Sequence, residues 1–323
     1  MARLSSPRVS NLEHSDPELA RPAGQPSTRS TFTLLLASLR PEQWTKNLVV
    51  LAGLLFGGRL LDWNAVFLAV ATFVIFCALS GVVYLFNDVA DRDSDQQHPL
   101  KRLRPIASGQ LPVKMALLAA GVLGTAALAG AFLVSARLGL VAGAYLLLLL
   151  LYSATLKNIV IIDALTIAAG FVLRAVAGAV AVAVPISHWL LVCATLLALF
   201  LAFSKRRHEL TLLGEGAIDH RRILEEYTPY LLDQMVAVVT ASTLIAYIFY
   251  ATSPETAGRL GTSRLGLTIP FVLYGIFRYL YLVHQKRGGG SPAALLLTDR
   301  PLLACVGLWA LSVALILYSA IGR

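Results

Sequence analysis

Charge is scarce in this chain. Lys, Arg, Asp and Glu together make up 14% of its 323 residues, where a soluble globular domain carries about 25%. That shortage, with 57% hydrophobic residues and a mean hydropathy of +0.71, excludes a water-surrounded surface. Cysteine is scarce too. Cys77, Cys193 and Cys305 each sit inside an apolar run, which excludes a disulfide framework or a cysteine metal site and leaves small lipophilic fillers. The first 30 residues lack an apolar stretch and are rich in Pro, Ser and Arg. No cleaved signal peptide is expected there, and residues 1–31 read as a disordered cytoplasmic tail ahead of a polytopic membrane catalytic domain over 32–323. The formal charge of +9 is scattered between apolar runs. This disfavours nucleic acid and favours anionic headgroups or phosphorylated substrates at a lipid bilayer.

The apolar runs are long. Nine candidate spans are expected near 47–62, 64–87, 113–135, 138–156, 159–184, 187–204, 231–252, 265–284 and 302–320, each approaching the ~20 residues that cross a bilayer. The fold class is therefore all-α integral membrane. Gly57-Gly58 is a candidate break in the first run. With the N-terminus inside, 20 of the 27 Lys and Arg fall on one face and 5 on the other. The positive-inside rule makes the first face cytoplasmic.

Chemistry-bearing residues gather on that face. Residues 65 to 86 carry no charge, and four carboxylates follow within eight residues: Asp88, Asp91, Asp93 and Asp95. Asp88, Asp91 and Asp95 are spaced three and four apart, so a continuing helix puts them on one side. Their mutual repulsion is relieved by a cation, and hard oxygen ligands suit Mg²⁺. The bland alternative is a solvated acidic loop. Lys101, Arg102 and Arg104 come next. Tyr152 and Lys157 end the fourth span, Lys205, Arg206, Arg207 and Glu209 end the sixth, and Lys46 lies at the entry to the first. Any one of these bases could be a topogenic charge; together they would ring the acids with donors for phosphate oxygens. Arg174 lies some fifteen residues into the fifth span, about 22 Å along a helix. An intramembrane Arg is a functional hypothesis by default. Its alternative is a structural pairing with another buried polar group such as Asp163 or Thr166. Arg278 and Tyr281 are explained by snorkelling to the interface.

The run Asn87-Asp88-x-x-Asp91-x-x-x-Asp95, followed by Arg104-Pro105-Ile106-Ala107-Ser108-Gly109, resembles the signature of the UbiA superfamily of intramembrane prenyltransferases. The resemblance implies a nine-transmembrane-helix UbiA-type bundle with cytoplasmic cap loops, two Asp-rich motifs and Mg²⁺. The chain departs from that pattern after the sixth span. A second acidic motif is expected there, yet the sequence reads Ser204-Lys205-Arg206-Arg207-His208-Glu209-Leu210. That stretch, Arg40-Pro41-Glu42-Gln43-Trp44-Thr45-Lys46-Asn47, Tyr152 to Lys157 with Asp163, and Arg278 to Tyr281 are similar to the decaprenyl-phosphate phosphoribosyltransferase branch.

The branch implies transfer of 5-phosphoribose from phosphoribosyl pyrophosphate to a polyprenyl phosphate, for cell-wall arabinan precursors, in the inner (plasma) membrane. By resemblance, Asn87, Asp88, Asp91 and Asp95 would hold Mg²⁺ and the diphosphate. Arg104, Tyr152, Lys157 and Arg174 would contact the donor. Lys46, Lys205 and Arg206 would hold the remaining phosphates, and Glu209 a ribose hydroxyl or second metal. Self-association, as a trimer, is also implied. The competing readings are an aromatic prenyltransferase of quinone synthesis, disfavoured by the basic stretch at 205–207, and an anionic-metabolite transporter, disfavoured by the lack of an inverted repeat.

Overall fold

A computed structural model describes residues 30–99, 101–213, 222–286, 295–296 and 298–321. The expected tail to residue 29 lies outside these. All regular structure among the described residues is helical. The helices are α1 (Thr31–Ser38), α2 (Ala52–Phe56), α3 (Trp63–Ala90), α4 (Arg92–Gln97), α5 (Val113–Val134), α6 (Ala136–Ala154), α7 (Ile162–Ala181), α8 (His188–Leu213), α9 (Pro229–Thr252), α10 (Pro254–Leu260), α11 (Ile269–Gln285) and α12 (Arg300–Ile321).

Local chemistry sets the ends. Asp62 caps α3 by accepting from the amides of Asn64 and Ala65. A single extended residue, Ser135, both ends α5 and caps α6. Thr228 caps α9, with Pro229 in its first turn. Each side-chain oxygen satisfies an amide that the helix leaves without a partner.

Among the described residues, eight helices are long and apolar enough to cross a membrane. They correspond to the second through ninth expected spans. The first expected span, 47–62, is not one of them. Its place is taken by an eleven-residue 3₁₀ segment, Pro41–Leu51, followed by the short α2. The run is only 16 residues, about 24 Å if helical, against a hydrocarbon core of about 30 Å. Buried Asn47 needs protein partners, and Gly58 turns the chain with φ 67°.

α3 and α7 are the inner helices; half of each spanning stretch is buried, against 22% for α5 and α12. α5 and α6 pack beside them, and α8 joins α7 to α9. Small residues allow the closest approach. A Cβ on Gly178 would stand 1.8 Å from the carbonyl oxygen of Val50, so the 3₁₀ segment lies backbone-against-backbone on α7.

One end of the bundle collects the ion pairs. Asp91–Lys157 ties the end of α3 to the turn after α6, and Asp163–Arg206 ties α7 to α8. Arg207, Asp233 and His284 join α8, α9 and α11, and Arg278–Asp299 links α11 to the start of α12. Arg59–Asp62 and Glu255–Arg259 lie at the other end, where Tyr318 accepts from the Leu60 amide.

Candidate active site

The acidic motif forms where α3 leaves the bundle. Asp88 occupies the last turn of α3 and is buried. Asp91 ends α3 and precedes α4, with φ −93° and ψ 8°. Helical bonds run through this joint: the Asp91 amide donates to the Asn87 carbonyl and the Asp95 amide to the Asp91 carbonyl, both at 2.8 Å. Asp88 and Asp95 therefore end on one buried side. Arg104 Nη1 bridges them, 3.2 Å from Asp88 Oδ1 and 2.5 Å from Asp95 Oδ2. Asp91 does not join that pair as its spacing suggested. It is half-exposed and binds Lys157 Nζ at 2.9 Å. Asn87 is half-buried one turn before it.

The stretch after the acids is a platform for Arg104. Ile106 and Leu111 are buried among Val82, Leu85, Ala116 and Ala120. The turn between them closes through Leu111 N to Pro105 O at 2.8 Å and Gly109 at φ 77°. A side chain is strained at that φ, so glycine is the natural occupant.

Arg40, which opens the run to Asn47, reaches the first acidic motif. It adopts a left-handed backbone (φ 52°) just before Pro41 and donates from Nη2 to Asp88 Oδ1 while stacking over Tyr84. Nothing local signals this; 48 positions separate the partners.

Lys46 and Lys205 bring the second basic stretch to the first motif. Burial lowers the Lys46 pKa to about 8, and repulsion from Lys205, Arg174 and Arg40 adds to this, opposed only weakly by Glu42. Cations from three parts of the chain thus converge. Two buried polar atoms on the same segments, Trp44 Nε1 and Ser204 Oγ, find no hydrogen-bond partner among the described residues. Such atoms cost about 1–3 kcal/mol each unless a ligand or water supplies one.

Two expected substrate contacts are differently placed. Arg206 is almost fully buried; its Nε binds Asp163 Oδ2 at 2.8 Å and its Nη1 binds Glu209 Oε2 at 2.7 Å. An ion pair this deep needs every donor satisfied by protein, so Arg206 braces the site from behind. Arg174 makes the structural pairing with buried polar groups that was the alternative to a substrate contact, but with Asn47 and Tyr145 in place of Asp163 or Thr166. It donates from Nε to Asn47 Oδ1 at 2.7 Å and from Nη2 to the Tyr145 hydroxyl at 2.6 Å, between the rings of Tyr145 and Phe171. Asn47 in turn donates to Ser80 and Cys77. Arg174 thereby holds the 3₁₀ segment that carries Lys46. Lys205 lies 3.8 Å from Glu209, and Tyr152 lies within electrostatic reach of Arg206.

Tyr227, a residue missed in the sequence, closes this network. Its hydroxyl donates to Asp163 Oδ1 at 3.0 Å and accepts from the Ile161 amide at 2.7 Å. Ile161 has φ 67° and ψ −42°, and the Ile162 amide reaches back to the Val160 carbonyl at 2.7 Å. This is a γ-turn of the strained hand. On a β-branched residue such a conformation costs about 1–3 kcal/mol.

The donor set fits a hard cation, but not as a closed cage. Among the described residues no three Asp, Glu, His or Cys side chains stand close enough to hold a metal by themselves. Asp88, Asp91 and Asp95 each keep one oxygen outside the ion pairs above. One or two carboxylates completed by water and substrate phosphate is the arrangement Mg²⁺ favours.

Residues 47–298 match the profile of the UbiA prenyltransferase family. The chain belongs to that family. It is 35% identical over 302 residues to the decaprenyl-phosphate phosphoribosyltransferase of Mycolicibacterium smegmatis, covering 90% of this chain and 93% of that one. The enzyme of the same name from Corynebacterium glutamicum is 32% identical over 289 residues, covering 88% and 86%. A UbiA homologue from Archaeoglobus fulgidus, solved with DMAPP and Mg²⁺, superposes with a TM-score of 0.66 at 18% identity, covering 91% of this chain and 99% of that one. That likeness establishes a UbiA fold. The chain is a multi-pass membrane enzyme of this family.

Proposed function

We propose that the protein transfers 5-phosphoribose from phosphoribosyl pyrophosphate to a polyprenyl phosphate such as decaprenyl phosphate, releasing diphosphate. The observation that carries this reading is the charge of the site. A carboxylate cluster suited to one Mg²⁺-diphosphate is accompanied by cations that act on one another, Lys46, Arg40 and Arg174 with Lys205, the last from the stretch where a second acidic motif would serve a different reaction. A donor with a 5-phosphate and a diphosphate, and an acceptor with a further phosphate, need those cations.

Roles follow from position. Asp91 and Asp95, with Asp88 behind them, would hold Mg²⁺ together with the donor diphosphate. The bound metal supplies charge neutralisation of the leaving group. Lys157 and Arg104 stand on the same carboxylates, within reach of diphosphate oxygens. Lys46 and Lys205 take the acceptor phosphate, with Tyr152 and Glu209 beside them for the ribose. The lipid phosphate oxygen attacks the anomeric carbon as the bond to diphosphate breaks. The attacking phosphate is already ionised, so no general base is needed. The product, a polyprenyl-phosphoryl 5-phosphoribose, suits arabinan precursor synthesis for the cell wall. The positive-inside bias supports a cytoplasmic placement of this end, and an inner-membrane location and a trimeric assembly belong to the same reading.

The test is direct. Purified protein in nanodiscs is given phosphoribosyl pyrophosphate, Mg²⁺ and polyprenyl phosphate, and the lipid product is weighed by mass spectrometry. A lipid heavier by one phosphoribosyl group is expected. Prenylation of an aromatic acceptor with no phosphoribosyl lipid refutes the reading.

A further inference from the structure

The Tyr227 hydroxyl is buried, remote in sequence from every motif, and bonded on both sides. Its residue is 3% exposed, and its ring packs in a core cluster with Ala164, Phe200, Phe203 and Leu232. The phenol accepts from Ile161 N at 2.7 Å and donates to Asp163 Oδ1 at 3.0 Å. Burial holds its pKa up at about 12, so it remains a donor throughout the working range of pH. What it grips is the one strained joint of the connection between α6 and α7. Ile161 sits at φ 67°, and the 3₁₀ turn Leu156–Asn158 lies just before it, closed by Asn158 N to Thr155 O at 3.1 Å and Ile159 N to Leu156 O at 3.2 Å. That turn presents Lys157 to Asp91.

We propose that Tyr227 is a positioning residue: its hydroxyl fixes the strained turn at Ile161 and thereby aims Lys157 at the diphosphate of the donor. Without the hydroxyl, Ile161 relaxes toward negative φ. The direction of the chain through residues 156–160 changes, and the Lys157 ammonium no longer stands over Asp91. Tyr227 touches no reacting atom. It acts from the described segment that enters α9, which begins with the turn Arg222–Glu226. The inference rests on the reading that Lys157 contacts the donor diphosphate.

A double-mutant cycle tests it. Tyr227→Phe keeps the ring and loses one hydroxyl; donor KM should rise about tenfold while kcat changes by about twofold or less. In an Ile161→Gly background the turn carries no side-chain strain, and the same substitution should cost under about threefold. In a Lys157→Ala background it should change donor KM no further. A phenol that merely stabilises the fold gives the same factor in all three backgrounds, and that result overturns the proposal. Hydrogen exchange supplies a readout independent of turnover. Peptides spanning 155–163 should exchange faster in Tyr227→Phe and be restored in the Ile161→Gly double variant; unchanged exchange also overturns it. If the unsubstituted protein makes no phosphoribosyl lipid, the functional reading fails, and the exchange data alone judge the clamp. If Tyr227→Phe does not fold, recovery by adding Ile161→Gly supports the strained-turn assignment, and failure to recover rejects it.

Discussion

Removal of the Asp163 carboxylate should be among the most damaging single changes to stability. Asp163 is fully buried and Arg206 is 2% exposed, with 2.8 Å between Nε and Oδ2. Asp163→Ala leaves the guanidinium in the interior with Glu209, a partly exposed acid, as its remaining carboxylate. Breaking a buried pair costs about 3–5 kcal/mol, and the surviving Glu209 bond puts this case near 3. The Tyr227 hydroxyl also loses its acceptor, which adds about 1 kcal/mol. The sum, about 4 kcal/mol, is a large share of the ~5–15 kcal/mol that holds an ordinary domain folded. Glu255→Ala is the control. That carboxylate is 62% exposed and pairs with Arg259, so its loss should cost at most about 1 kcal/mol. Unfolding free energies measured by SDS titration in mixed micelles compare the two. Asp163→Ala within about 1 kcal/mol of Glu255→Ala would refute the argument. A second check uses Asp163→Ala with Arg206→Met, which removes both charges and should regain most of the loss.

Lys46 gives a pH prediction. Its folded pKa of about 8 lies below its ordinary 10.5, so the site loses a positive charge as pH rises through 8, and kcat/KM should fall there. Lys46→Arg should keep binding to at least about pH 9; a profile identical to the parent's would reject this role. The stability term has the opposite sign, since between pH 8 and 10.5 the unfolded chain binds more protons at this group and folding gains as pH rises. Asp91→Asn should lower diphosphate release by at least about 100-fold, and chelation of divalent metal should stop it until Mg²⁺ is returned; full turnover in either case sinks the metal assignment. Gly178→Val would drive a side chain into the Val50 carbonyl, displace the 3₁₀ segment and weaken acceptor binding, read as a raised KM for polyprenyl phosphate with little change in donor KM.

Much of the bundle was legible in the sequence because lipid imposes a simple rule. Backbone groups must be satisfied within the segment, so each long apolar run becomes a helix. Eight runs obeyed it to within a few residues of their expected ends, α8 excepted, which continues to Leu213. The run after Trp44 did not, because Asn47 and two glycines make it a poor span and tight contacts with α7 offer it another place. Asp88, Asp91 and Asp95 were visible as a motif, since they lie three and four positions apart in one short stretch. The pairing of Arg40 with Asp88 and that of Tyr227 with Asp163 were not, since the partners lie 48 and 64 positions apart.

Sequence alone determined the membrane class, the face on which charge collects and the residue types available there, for these depend on composition and on spacing along single helices. Only the tertiary structure decided which base answers which acid. It gave Arg206 to Asp163, Arg174 to Asn47 and Tyr145, and Lys157 to Asp91. The reason is physical. Ionic and hydrogen-bond partners are chosen by distance in space, and in a bundle that distance is set by how small residues let helices approach, a quantity no single segment contains.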